Sequence, residues 1–243
     1  MVATLQRLDY EPRTVHLHEC PGDPRGFRVN ACVKEPWTVQ FIEDMPGQPA
    51  CLYDVGANVG SYTCLAGVLG KFVVAFEPAT WNYAALVDNL RVNNLLSQTI
   101  PLQLALSNTN RLDWINYGNH IQAGGADHTI GGAAPGNIPV MFHRQAIMFW
   151  RLDDLIQSFG LPPATHMKVD VDGGEVPVLD GMPRTLDTVQ ALMLEMKPEQ
   201  ETMLVERIKG HGLEPVGRWD RRGGQLTGVV YIRFARVRAA TGA

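Results

Sequence analysis

Leu52-Tyr-Asp-Val-Gly-Ala-Asn-Val-Gly60, followed by Phe76-Glu77-Pro78, decides the fold of this chain. Ala50-Cys-Leu-Tyr-Asp-Val55 is a short apolar run without helical period, as expected of a strand covered on both faces. Gly56 and Gly60 let the backbone turn sharply and approach a ligand, and Asn58 tolerates left-handed conformations. Ser61 onward reads as a helix stopped by Gly70, and Lys71-Phe-Val-Val-Ala-Phe-Glu77 as the next strand. Together these pieces make one half of a doubly wound α/β sheet, with acids (Asp54, Glu77) where such sheets bind their ligands.

The separation of Glu77 from the glycines is about 20 residues, the step of one βαβ unit, and from a strand tip it can accept both hydroxyls of a ribose. The amides opening the intervening helix can hold a carboxylate. The turn is Gly-x-x-x-Gly with an acid two residues ahead, not the G-x-G-x-x-G of dinucleotide folds. No Lys-Ser/Thr follows to cradle a phosphate chain. S-adenosylmethionine, with a carboxylate at one end and a ribose at the other, fits these groups; the bland alternative is a glycine turn that only joins elements.

A chain of 243 residues is long enough for one well-packed α/β domain with extensions, and 45% hydrophobic with 19% charged residues is ordinary for a globular protein. The division expected is an N-terminal cap over 1–49 and a methyltransferase-type domain over 50–243. A net charge of −4 gives no electrostatic ground for a nucleic-acid partner, and hairpin and tail solvation explains most of the late arginines (Arg218, Arg221, Arg222, Arg233, Arg236, Arg238). Cys20, Cys32, Cys51 and Cys64 show no C-x-x-C pairing, so neither zinc nor a disulfide framework is indicated. No signal peptide or membrane-length apolar run is seen, and the expected location is the cytoplasm, away from membranes.

Along the chain, prolines punctuate the first 48 residues around a strand-like Thr14–His18. A helix is predicted over 80–93 with Trp81, Ala84, Ala85, Leu86 and Leu90 on its apolar face, then a third strand over Pro101–Ser107. The Gly-rich stretch Tyr117–Asn137 reads as a functional loop. A strand over 141–150, a helix over 151–159, strands at 166–172 and 189–195, a helix over 198–211 and a hairpin (213–219 with 228–234) complete the pattern. The fold class expected is α/β: a Rossmann-like, doubly wound, mostly parallel seven-stranded sheet with one antiparallel strand in a C-terminal hairpin.

Over roughly residues 50 to 235 the chain resembles the FkbM family of class I methyltransferases. Four segments carry this: Asp54-Val-Gly-Ala-Asn-Val-Gly60; Phe76-Glu-Pro78 with Asn89 and Asn93; Leu152-Asp-Asp-Leu-Ile156; and Lys168-Val-Asp-Val-Asp-Gly-Gly-Glu175 with Val178, Leu179 and Gly181. Asp172 and Gly174 are mild departures from the last motif. The resemblance implies S-adenosylmethionine as cofactor and, commonly, O-methylation of sugar or natural-product hydroxyls, with a small-molecule acceptor as partner. It also implies that Asp54, Gly56, Asn58 and Gly60 line the methionine end, Glu77 the ribose, and Ala105, Leu106 and Ser107 the adenine. Asp170 and Asp172 would face the transferred methyl group.

An alcohol acceptor needs a base or a metal, whereas an amine needs only to be neutral. Asp170, Asp172 and Glu175 supply three carboxylates within six residues. Asp170 or Asp172 is assigned as base or orienting group with Glu175 in support, against the alternative that Asp172 caps the following helix. Oxygen ligands suit Mg²⁺, yet no histidine clusters with them, so no metal ligands are assigned. His128 can accept a hydroxyl proton, or be a solvated loop histidine. Lys168 shares a strand face with Asp170 and can pair with a carboxylate; Glu195 ends the fifth strand near the acceptor or caps a helix. Trp37 and Trp81 are core or lid residues unless they stack on a sugar. Methylation of nitrogen or carbon, and a cofactor-binding module without turnover, remain open. So does a homodimer, through the hairpin edge or the N-terminal segment.

Overall fold

The computed structural model describes residues 4–23, 25–47, 49–117, 122–126, 128–130, 143–221 and 228–237. Two short strands, β1 (Leu5–Arg7) and β2 (His16–His18), pair antiparallel ahead of α1 (Ala31–Lys34) and α2 (Pro36–Glu43). The α/β alternation runs through β3 (Cys51–Val55), α3 (Ser61–Val68), β4 (Phe72–Phe76), α4 (Thr80–Val92) and β5 (Thr99–Leu102). Next come β6 (Ala105–Leu106), β7 (Arg111–Asn116), β8 (Thr129–Ile130), β9 (Arg144–Trp150), α5 (Leu152–Phe159) and β10 (His166–Val169). The last elements are α6 (Glu175–Asp180), α7 (Pro183–Leu186), β11 (Ala191–Met196), α8 (Glu201–Lys209), β12 (Leu213–Arg221) and β13 (Val229–Arg236).

The main sheet has seven strands in the order β12-β13-β11-β10-β3-β4-β5, and β13 alone runs against its neighbours. This is the mostly parallel α/β architecture expected from the sequence; the turn expected between the last two strands lies outside the described residues. Side-chain alternation divides its core. Cys51, Tyr53 and Val55 with Leu192 and Leu194 pack on one face; Leu52 with Ala191, Met193 and Tyr231 packs on the other. That second face is covered by α3 and by Leu8, Val15, Leu17, Phe41 and Ile42 of the N-terminal segment. Asn89 and Asn93 of α4 hold β2 in place: Asn89 Oδ1 accepts from the His18 amide at 2.7 Å, and Asn93 exchanges two hydrogen bonds with the His16 backbone at 2.9 and 2.7 Å.

Three expectations are corrected. The predicted strand 101–107 is two elements: β5 forms the sheet edge, where Pro101 is tolerated because it owes no ladder donor, while Ala105 and Leu106 pair with Phe149 and Trp150 in a second sheet, β6-β9-β7-β8. Part of the Gly-rich section belongs to that sheet through β8; residues 118–121, 127 and 131–142 lie outside the described residues. On α4 the buried stripe is Asn82, Leu86, Asn89 and Leu90, whereas Trp81 is 49% exposed. Two of those four positions are asparagines bonded to neighbouring segments, which an apolar pattern overlooks.

Candidate active site

Strand alternation brings the polar residues together. Lys168 faces Asp54 across the β10–β3 register and Glu195 faces Tyr231 across β11–β13, on the sheet face that the N-terminal segment covers. Asp170, two residues past Lys168, projects to the same side. Lys168 Nζ lies 3.0 Å from Asp170 Oδ2 and 3.7 Å from Asp54 Oδ1. The carboxylates of Asp170, Asp172 and Glu195 all come within 4.8 Å of one another. They sit at the carboxyl ends of adjoining strands, where open α/β sheets bind ligands.

Gly56 is pressed against this group. It has φ +83°, and a Cβ there would lie 1.8 Å from the Asp170 carbonyl oxygen. Gly60, at φ +87°, opens α3 without any side-chain cap and so leaves its first amides to an anion. Asn58 is also left-handed, with φ 50°. Asp54 stands beneath the turn rather than on its open side: it is 0% exposed and accepts the Thr63 hydroxyl at 2.5 Å, so it buttresses the start of α3. Glu77 ties the two ligand turns together, accepting the Asn58 amide at 2.8 Å and the Ala79 amide at 2.9 Å.

A roof closes over the Glu77 side. The Gly125 carbonyl accepts from the side-chain amides of Asn58 (2.8 Å) and Asn82 (3.0 Å), and the Gly124 amide donates to Asn82 at 2.9 Å. Arg28 donates to the Gly124 carbonyl, and the Gly22 amide to Ala123. His128 packs edge-on against Tyr117, whose hydroxyl accepts the Thr80 amide. That contact places His128 at the start of α4, beside the Glu77 turn, rather than with Asp170. Ala105 packs with Ala79 and Tyr117 in the same small cluster; Leu106 and Ser107 are buried, Ser107 donating its amide to Trp150.

The electrostatics divide these carboxyls. Burial pushes Glu77 up to about 7, against the pull of the Ala79 and Asn58 amides. Burial, then the charge of Asp170, pushes Glu195 up to about 9. Burial would raise Asp170 too, but Lys168 outweighs it, with Lys34 and Arg28 adding to the pull, and holds Asp170 below the usual carboxylate range. Near neutral pH Asp170 is therefore ionised while Glu195 keeps its proton. Burial also raises Glu175, whose Oε1 accepts the Gly173 amide at 2.9 Å.

Asp172 does not cap α6; Gly174 holds that position, with no side-chain bond, and Asp172 is left-handed at φ 53°. Trp37 stacks with Trp219 at 6.0 Å and packs at a tilt of 51° against Tyr231 at 5.1 Å, a packing role. Glu35, unsuspected from the sequence, is buried beneath the site: it accepts the Tyr62 hydroxyl at 2.8 Å and pairs with Lys34 at 2.7 Å. Its proline-punctuated surroundings carry no pattern that marks it. Tyr231 was findable, since alternation on β13 puts it opposite Glu195.

No helix among the described residues is long and apolar enough to cross a membrane. A hexuronic acid methyltransferase of Haloferax volcanii, AglP, is 27% identical to this chain over 211 residues, covering 81% of this chain and 82% of the relative. Solved structures share the fold, two methyltransferases among them. The methyltransferase FkbM of Methylobacillus flagellatus KT has a TM-score of 0.51 and 15% identity, over 85% of this chain and 62% of its own. The magnesium protoporphyrin IX methyltransferase of Synechocystis PCC 6803, solved with bound S-adenosylmethionine, has a TM-score of 0.51 and 11% identity, over 88% and 81%. The Methyltransferase FkbM domain matches residues 54–209, more than half of the chain, and these residues hold the glycine turn, Glu77 and the Asp170 group: the chain belongs to the FkbM methyltransferase family.

Proposed function

We propose that this S-adenosylmethionine-dependent methyltransferase acts on a hydroxyl of a sugar or secondary metabolite, with Asp170 as proton acceptor. The observation that carries this is the carboxylate group of Asp170, Asp172 and Glu195, within 4.8 Å of one another and beside the Gly56 turn. When bound, the cofactor supplies an electrophilic methyl group on a good leaving group, so the residues present have to align an oxygen and take its proton. The side-chain-free turn at Gly56 and Gly60, the uncapped start of α3 and the carboxylate of Glu77 suit a ligand with a carboxylate at one end and a ribose at the other. Ala105, Leu106 and Ser107 would border the adenine, next to Ala79.

Asp170 enters the reaction ionised. Asp170 would take the proton of the acceptor hydroxyl as that oxygen receives the methyl group. Asp172 orients the acceptor, and Glu195, still protonated, can donate a hydrogen bond to it. The hexuronic acid substrate of the archaeal relative supports a sugar acceptor. The ionised Asp170 repels an acceptor that presents its own carboxylate to the methyl group, and it supplies the base that a hydroxyl needs. Methylation at a hydroxyl is therefore favoured over esterification of an acid. The N-terminal segment, which brings Arg28, Lys34 and Glu35 to this face, would take part in acceptor choice, and His128 would contact substrate only from the Glu77 side.

Replacing Asp170 by Asn tests the assignment. Turnover should fall by about 10²-fold or more while S-adenosylhomocysteine binding is kept; turnover left intact discards Asp170 as the base.

A further inference from the structure

We infer that Lys168 is a positioning residue for methyl transfer: one buried ammonium holds the Asp170 carboxylate in place and ties it to Asp54, the buttress of the cofactor turn. The inference rests on the role proposed for Asp170. Lys168 is only 3% exposed, and its Nζ lies 3.0 Å from Asp170 and 3.7 Å from Asp54, over the face of the Tyr62 ring at 5.3 Å from its centroid. Each contact comes from a different element: Asp54 from β3, Tyr62 from α3, and Asp170 from the end of β10. Glu35, from the turn between α1 and α2, adds a further carboxylate to the field around the ammonium. A cation this deep is stable only with such partners, and the partners in turn are fixed by it.

The consequence is geometric. Asp54 holds Thr63 at the start of α3, so the helix end that faces the cofactor and the carboxylate that faces the acceptor are referenced to one atom, Lys168 Nζ. Without the ammonium, Asp170 would turn toward water, away from the line of transfer. Misplacement by about 1 Å is enough to cost about 10²-fold in rate.

The test is a double-mutant cycle with Lys168→Met and Asp170→Asn, read by kcat, acceptor KM and S-adenosylhomocysteine affinity, with Lys168→Arg as the charge-conserving variant. The expected result is a kcat lowered by about 10²-fold in Lys168→Met with acceptor KM little changed, partial rescue in Lys168→Arg, and a double variant no slower than Asp170→Asn alone. Losses that multiply in the double variant, or Lys168→Met turning over within threefold of wild type, would overturn the inference. If Lys168→Met does not fold, it is combined with Asp54→Asn and Asp170→Asn, which leaves neither carboxylate stranded: a kcat equal to that of the Asp54→Asn, Asp170→Asn pair supports the role, and a further loss refutes it. Full turnover in Asp170→Asn instead brings down the base assignment, and is seen separately from any effect at Lys168.

Discussion

Replacing Gly56 by Ala separates two costs that are usually merged. At φ +83° a side chain adds about 1–2 kcal/mol of backbone strain. Gly70→Ala has the same strain at φ +78° with nothing within 4 Å of the new methyl, so it is the control. Reduced freedom of the unfolded chain returns about 0.4–1 kcal/mol in both, leaving Gly70→Ala destabilised by about 1 kcal/mol. At Gly56 the methyl would stand 1.8 Å from the Asp170 carbonyl oxygen, against a 3.0 Å limit that real Cβ contacts respect. A backbone atom must then move by more than about 1 Å, adding about 1–3 kcal/mol as in an overpacked core. Because that backbone carries Asp170, turnover should fall by about 10²-fold as well. Urea denaturation of both variants, with S-adenosylhomocysteine titration and turnover, makes the comparison. Equal unfolding midpoints and unchanged turnover in Gly56→Ala would refute the close approach of the turn to Asp170.

Stability should fall as pH rises from 7 to 9. Glu195 has a folded-state value of about 9, above its ordinary 4.5, so the protein binds that proton more tightly folded than unfolded, and the stabilisation is lost on passing through about 9. His166, pushed down to about 4 by burial, acts in the opposite direction but has finished by its ordinary value of 6.5. Glu195→Gln should remove most of the decline in Tm between pH 7 and 9; the same slope in the variant would contradict the assignment. Asn82→Ala removes the bonds to Gly124 and Gly125 and should speed hydrogen exchange at the Gly124 amide while leaving β3 and β10 protected; unchanged exchange would mean the roof is held elsewhere. Turnover should survive exhaustive treatment with EDTA, and loss restored by Mg²⁺ would recast the three carboxylates as oxygen donors.

Much of this architecture was legible because its signals are local. Apolar runs ending in Gly56 or Glu77 mark parallel strands and their ligand turns, and Lys168-Val-Asp170 announces a shared strand face. The second sheet was hidden, since β6 and β8 are two residues each and gain their order only from pairing with β9 and β7. Burial of Asn82 and Asn89 was hidden for a related reason: their value lies in hydrogen bonds to segments distant in sequence, which no periodicity encodes. Glu35 and the roof likewise depend on long-range contacts. Asp54 shows the limit of motif reasoning; its position in the turn was evident, but its complete burial, spent on Thr63 and Lys168, appears only once α3 and β10 are in place.

The most direct measurement is transfer of a radiolabelled methyl group from S-adenosylmethionine to a panel of hexuronic acid glycosides and neutral sugars, followed by base treatment of the product. Label that survives base as an ether, and that disappears with Asp170→Asn, is the expected result. Label released by base, as from a methyl ester, or transfer undiminished in that variant would contradict hydroxyl methylation through Asp170.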